Sequence, residues 1–211
     1  MSLPARGVGG DFYTWHEAAG YLDVTLADVM GKGTAAALMA ATVRAAINAA
    51  GPSEPSAAFE KASQNLAEDM DATGVFATAF RARLNLKTGE LQYADAGHGL
   101  SLIVQTDGQY RQLHSPGLPL GLGGPGSWQT CTSTLHPGEM LVSFTDGVLD
   151  LYDGTLAALG KVAKLATQNP HPAALTDALR TLAPAKNRDD DITVIAIRNA
   201  QVKQDGENSR P

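Results

Sequence analysis

The chain has 211 residues and a mass of 22.0 kDa, which suits one large domain with a substantial core. With 44% hydrophobic and 18% charged residues it can bury that core and still solvate its surface, which excludes wholesale disorder and collagen-like repetition. The formal charge of −6 leaves no basic face for nucleic-acid phosphates, and the single cysteine, Cys131, allows neither an internal disulfide nor a thiolate metal site.

From Gly20 to Asp28, Leu22, Val24 and Leu26 alternate with Asp23 and Thr25, the period of a half-buried strand. The Ala-rich stretch over 34–50 predicts a helix stopped by Gly51 and Pro52, and 55–71 predicts a second. The apolar tract over 35–50 is interrupted by Thr42, Arg44 and Asn48, and no basic-plus-apolar leader opens the chain. Neither a membrane span nor a signal peptide is expected, and a cytoplasmic location is. Between Val75 and Leu135, short apolar runs are separated by the turn sequences KTGE (87–90), DAGHG (95–99), TDGQ (106–109) and SPGLPLGLGGPG (115–126), which predicts an antiparallel meander. A strand over 140–145 runs into Asp146-Gly147, helical patterns cover 155–167 and 172–183, and 192–197 predicts a last strand. This order predicts an α+β fold with antiparallel sheets rather than a doubly wound parallel sheet. One domain is expected over residues 6–199, followed by a disordered polar tail over 200–211.

Three aspartates stand out by position. Asp28 continues the parity of Leu22, Val24 and Leu26; Asp146 continues that of Met140, Val142 and Phe144; Asp190 precedes Ile192, Val194 and Ala196 in the same parity. A carboxylate at such a place is costly unless it is paired or bound to a cation, and few basic residues lie nearby in sequence. With no Cys set and no His pair at zinc-like spacing, a hard ion such as Mg²⁺ or Mn²⁺ fits best. Turn capping explains any one of these aspartates as well, Asp146-Gly147 above all. After Asp28, Val29-Met30-Gly31-Lys32-Gly33 leads into a helix and superficially suggests a nucleotide P-loop. Leu26 stands where that motif needs its first Gly, and Gly33 where it needs Ser or Thr. A tight strand-to-helix turn explains it as well.

In order, VGGDF (Val8–Phe12), ADVMGKG (Ala27–Gly33), FAT (Phe76–Thr78), DAGHG (Asp95–Gly99), LPLG (Leu118–Gly121), FTDGV (Phe144–Val148) and DDIT (Asp190–Thr193) resemble the metal-dependent Ser/Thr protein phosphatases of the protein phosphatase 2C type. The bacterial branch of stage II sporulation and sigma-factor-regulating phosphatases is the most similar. The resemblance implies a four-layer αββα sandwich of two antiparallel sheets flanked by paired helices, with two Mn²⁺ or Mg²⁺ ions at one edge. It makes Asp28 the ligand shared by both ions, with the Val29 carbonyl on one and Asp146 and Asp190 on the other. Asp11 becomes a direct or water-mediated ligand, Asp191 a supporting or solvent-facing residue, and Asp189 a residue outside the motif.

The implied substrate is a phosphorylated Ser or Thr on a bacterial regulatory protein such as an anti-sigma-factor antagonist. An N-terminal sensor domain, an activating partner or homodimerisation would control the activity, with the helices over 34–50 and 55–71 as the moving part. Only about seven residues precede Val8, so the family's usual strand before VGGDF is expected to be missing, trimmed or supplied by a partner, and Gly99 and Asp150 replace its common Pro and Glu. His98 and Lys32 are expected in structural or surface roles, and Arg6 is a candidate contact for substrate phosphate. The competing readings are a non-catalytic phosphoprotein- or sensor-binding module of the same fold and a metal phosphodiesterase acting on a nucleotide.

Overall fold

The alternating segment at 20–28 is a strand, Tyr21–Val29 (β3), paired on both sides: with Asp11–Ala18 (β2) and with Ala77–Asn85 (β4). Glu90–Ala96 (β5) and Cys131–Thr134 (β8) complete an antiparallel sheet in the order β2-β3-β4-β5-β8. The second sheet, also antiparallel, has the order β1-β10-β9-β6-β7, built from Ser2–Leu3 (β1), Ile192–Arg198 (β10), Met140–Phe144 (β9), Ser101–Val104 (β6) and Tyr110–Gln112 (β7). This computed structural model describes residues 1–183 and 190–200, so Asp189 and the expected tail from residue 201 onward lie outside the described residues.

Three apolar layers account for the stacking. Val24, Phe80, Leu84, Leu91, Ile103 and Leu141 fill the space between the sheets. Over the outer face of the first sheet lie the helices Thr34–Ala49 (α1) and Pro55–Thr73 (α2), which bury Ala40, Val43, Ile47, Phe59, Ala62 and Leu66. The sheet meets them with Ala27, Ala77, Ala79, Ala94 and Ala96, all fully buried, and such small side chains let helix and sheet close-pack. Helices Ala158–Gln168 (α3) and Pro172–Leu182 (α4) cover the second sheet through Val162, Leu175 and Leu179 against Val142, Phe144 and Val194. The result is the αββα sandwich expected from the sequence. Among the described residues no helix is long and apolar enough to cross a membrane.

Local chemistry sets the helix boundaries. Pro55 occupies the first turn of α2, where a missing N–H costs nothing, and Gly74 ends it in the left-handed conformation, donating its N–H to Met70. The turn between α1 and α2 is fastened to the sheet by buried Arg81, whose Nη2 donates to the Gly51 carbonyl at 3.0 Å and Nη1 to Thr25 at 3.1 Å.

The structure departs from the sequence reading in three places. The segment from 75 to 135 is not a simple meander: β4 and β5 belong to the first sheet, β6 and β7 to the second, and β8 returns to the first. Strand β2, unmarked in the sequence reading, lies at a sheet edge with one buried residue along its length, so its core alternation is weak. A short strand does precede VGGDF. Ser2 and Leu3 pair with Thr193 and Ile192, so a domain beginning at residue 6 omits residues that belong to the sheet.

Candidate metal centre

Asp11 and Asp28 are direct cross-strand partners on β2 and β3, so their side chains leave the sheet on one face. That face looks into the sandwich, because the hydroxyl of Thr145, just after β9 on the other sheet, donates to Asp11 Oδ2 at 2.6 Å. Thr145 Oγ1 in turn accepts the N–H of Thr193 on β10 at 2.9 Å. One threonine thereby joins both strand ends of the second sheet to a carboxylate of the first.

Burial and mutual repulsion govern the protons here. Asp11 is pushed up to about 8, first by burial and then by the Asp28 charge, against the hydrogen bonds from Thr145 and Thr193. Asp28 is raised to about 6 by burial first and by Asp146 next, with Asp190 and Asp191 adding to the rise; a hydrogen bond from Asp11 opposes it. Burial and repulsion thus raise both carboxyls, and the pair favours holding a proton between them near neutral pH.

Asp146 opens a short 3-10 helix, Asp146–Leu151, and its carboxyl is raised by burial and then by Asp190. Asp190 Oδ1 accepts the N–H of Asp191 at 3.0 Å, and its Oδ2 lies 3.2 Å from Lys32 Nζ. The Val29 carbonyl oxygen packs against Gly10, where a Cβ would lie 2.5 Å from it. Asp11, Asp28, Asp146 and Asp190 thus meet at one end of the sandwich. Among the described residues, no three His, Cys, Asp or Glu side chains close into a ready metal cage as they stand. The donor set still fits a hard divalent ion, being all oxygen and containing partly buried carboxylates whose charge repulsion is only partly offset.

The structure brings the aspartates singled out by parity to one end of the sandwich, by a partly different route. Leu22 and Val24 do face the inter-sheet core, but Met140, Val142 and Phe144, like Ile192 and Val194, face α3 and α4. Asp146 and Asp190 reach the centre because β9 ends and β10 begins at the same end of the sandwich.

Asp191 is not solvent-facing. Its Oδ1 accepts the N–H of Ala5 at 2.7 Å and its Oδ2 that of Gly10 at 2.8 Å, which pins both ends of the loop that carries exposed Arg6. His98 is buried away from the carboxylates, with Nε2 3.3 Å from Ser143 Oγ and its ring against Phe80. Burial pushes it down to about 4, which keeps it neutral and suits packing rather than proton donation. Thr145 and the reach of Lys32 escaped the sequence reading. The signal for Thr145 was present: it shares the parity of Ser143, a polar set within an otherwise apolar strand.

The SpoIIE family model (stage II sporulation protein E) matches residues 18–200. This chain belongs to the SpoIIE family. Among its relatives is the phosphoserine phosphatase RsbU of Bacillus subtilis, 29% identical over 153 residues that cover 71% of this chain and 45% of RsbU. The chain spans less than half the length of the curated relatives it matches. Among solved structures, the SiaA-PP2C domain of Pseudomonas aeruginosa is similar at 26% identity and a TM-score of 0.79, over 94% of this chain and 85% of that domain. The catalytic domain of the serine/threonine phosphatase PstP, solved with two manganese ions, shares the fold at 18% identity and a TM-score of 0.69, over 93% of this chain and 94% of that one.

In this SpoIIE-family chain the turn after β9 has no room for a side chain. A Cβ at Gly147 would overlap the Asp191 carbonyl oxygen. Gly147→Ala is expected to cost about 3 kcal/mol and lower the melting temperature by roughly 10 °C, because backbone rather than a movable side chain must yield. Gly124→Ala, which enters open space, is the control, and thermal melting of the two variants checks the difference.

Proposed function

We propose that this chain is the catalytic part of a metal-dependent phosphatase that removes phosphate from phosphoserine or phosphothreonine on a bacterial regulatory protein, an anti-sigma-factor antagonist being the leading candidate. The observation that carries the reading is the partly buried Asp11–Asp28 pair facing Asp146 and Asp190 at one end of a SpoIIE-family sandwich. In this reading Asp28, Asp146 and Asp190, with the Val29 carbonyl and with Asp11 directly or through water, hold two Mn²⁺ or Mg²⁺ ions. Bound there, divalent ions would supply an activated water for attack on phosphorus and offset the charge of the phosphoryl oxygens.

The remaining tasks fall to the protein. Thr145 orients Asp11 through its 2.6 Å hydrogen bond. Asp191 fixes the loop that presents Arg6. Helix α1 begins two residues after Lys32 with no side-chain cap and no acidic residue in its first turn, which leaves backbone N–H groups suited to phosphoryl oxygens. The reading also includes a cytoplasmic setting and control by a sensor segment joined before residue 1, an activating partner or a homodimer, with α1 and α2 as the moving elements.

The test is phosphate release from a phosphoserine-bearing antagonist protein and from a chromogenic phosphomonoester, each with Mn²⁺ and with chelator. Cyclic dinucleotide hydrolysis is measured in parallel. Mn²⁺-dependent monoester hydrolysis is the expected result. Diester hydrolysis alone would replace the reading with a phosphodiesterase, and turnover of neither with retained phosphoprotein binding would replace it with a binding module.

A further inference from the structure

Lys32 is the cation of the one ion pair, among the described residues, that involves a carboxylate of this centre. Its ammonium lies 3.2 Å from Asp190 Oδ2, and its charge also eases the ionisation of Asp146. It therefore stands beside the two carboxylates that the metal reading assigns to a single ion. The side chain comes from the loop joining β3 to α1, four residues after Asp28, between Gly31 at φ +105° and Gly33 at φ +78°. Both are backbone conformations that glycine adopts without strain, and they turn the lysine back toward the centre. A lysine suits a contact that must form and release: it is a compact charge on a flexible stem, without the two-pronged grip of arginine. Both partners are half-exposed, with 46% and 37% of the side chains accessible, so the ammonium can leave into water.

We propose that Lys32 is a tethered counterion: it holds Asp190 in the metal-free protein and is displaced when a divalent cation binds, so it sets the metal concentration at which the centre loads. The inference rests on the metal reading above. It makes Lys32 a positioning residue that acts through Asp190. Removing its charge has two opposite effects. Metal-free protein loses an offset to the repulsion among Asp28, Asp146 and Asp190, while an incoming cation no longer has a competitor.

The experiment compares the full chain with Lys32→Gln, Lys32→Arg and Arg6→Gln, the last removing an equal charge from the neighbouring loop. Mn²⁺ affinity is read without substrate, by titration calorimetry and by the spin-resonance signal of free Mn²⁺, and melting is followed with chelator and with saturating Mn²⁺. Lys32→Gln is expected to bind Mn²⁺ roughly threefold to tenfold more tightly than the parent and to melt lower than the parent only in chelator. Lys32→Arg is expected to bind no more tightly than the parent, and Arg6→Gln to change affinity by less than Lys32→Gln. Equal or weaker Mn²⁺ binding by Lys32→Gln overturns the inference, as does an equal gain in Arg6→Gln, which would mark a general charge effect. If parent and Lys32→Gln bind Mn²⁺ alike, the metal reading stands and only the counterion falls. If neither binds Mn²⁺, both fall.

Discussion

Asp146→Asn is expected to lower Mn²⁺-dependent phosphate release by more than about 100-fold, while the metal-free protein melts at the parent temperature or a few degrees above it. The two effects have one cause. Asn keeps the size of Asp and an oxygen able to accept the Gly147 N–H, so the 3-10 helix at 146–151 persists. It removes a charge that raises the proton affinity of Asp28 and that is itself destabilised by Asp190, so the metal-free centre is relieved of repulsion. Asp28→Asn is expected to lose activity in the same way, with a larger gain in metal-free melting temperature because Asp28 answers to three further carboxylates. Steady-state hydrolysis and calorimetric melting, each with Mn²⁺ and with chelator, check both halves. An Asp146→Asn protein with full Mn²⁺-dependent activity would remove Asp146 from the metal site.

Stability without metal is expected to fall as pH rises from 5 to 8, the reverse of a protein held by salt-bridged carboxylates. Asp11, at about 8 in the folded state, lies far above the ~3.9 of an unfolded Asp, so within that interval the folded state binds more protons than the unfolded one. Stability gained from a raised carboxyl is lost as pH climbs from the unfolded value through the folded one. Asp28 adds to the decline over the lower part of the range, up to about 6. The melting temperature in chelator is expected to drop on the order of 10 °C between pH 5 and pH 8, given roughly 2–4 °C per kcal/mol for a chain of this size. Asp11→Asn should flatten most of the slope. Mn²⁺ should do the same in the parent, since a cation favours the ionised carboxylates and releases their protons. Calorimetry across that range decides it: a flat or rising profile in chelator contradicts a proton-sharing pair of partly buried carboxyls.

Much of this was legible because the informative residues obey local rules. Alternation at 20–28, the Ala-rich helix ended by Gly51-Pro52, and the Asp-Gly after 140–145 each report on a few neighbouring residues, and the structure has strands or helices there. The aspartates could be singled out because a charge interrupting an apolar parity is visible in a single strand. What stayed hidden depends on pairings across the fold. Strand β2 buries one residue along its length and owes its conformation to β3, so its own pattern carries little information. The exchange of strands between sheets from β5 to β8 is decided by which apolar faces meet, and turn sequences do not encode that. Asp191 stayed undecided between a supporting and a solvent-facing place because its partners, Ala5 and Gly10, lie more than 180 residues away.

That separation bears on the order in which the molecule comes together. Gly10 and Asp191 are 181 residues apart, Asp11 and Thr145 are 134 apart, and both contacts shape the same end of the sandwich. Contacts of such span form late, because the entropy of closing a long loop must be met before they return any energy. During synthesis the sheet from β2 to β5 and its two covering helices can assemble while the last strand is still inside the ribosome. The carboxylate cluster cannot, since Asp190, Asp191 and the β10 partner of Thr145 follow β9, α3 and α4 in the chain. The cluster is therefore complete only once β10 is in place, and a chain ending before Asp190 would carry Asp11, Asp28 and Asp146 on a largely folded body without Asp190, Asp191 and the β10 partner of Thr145.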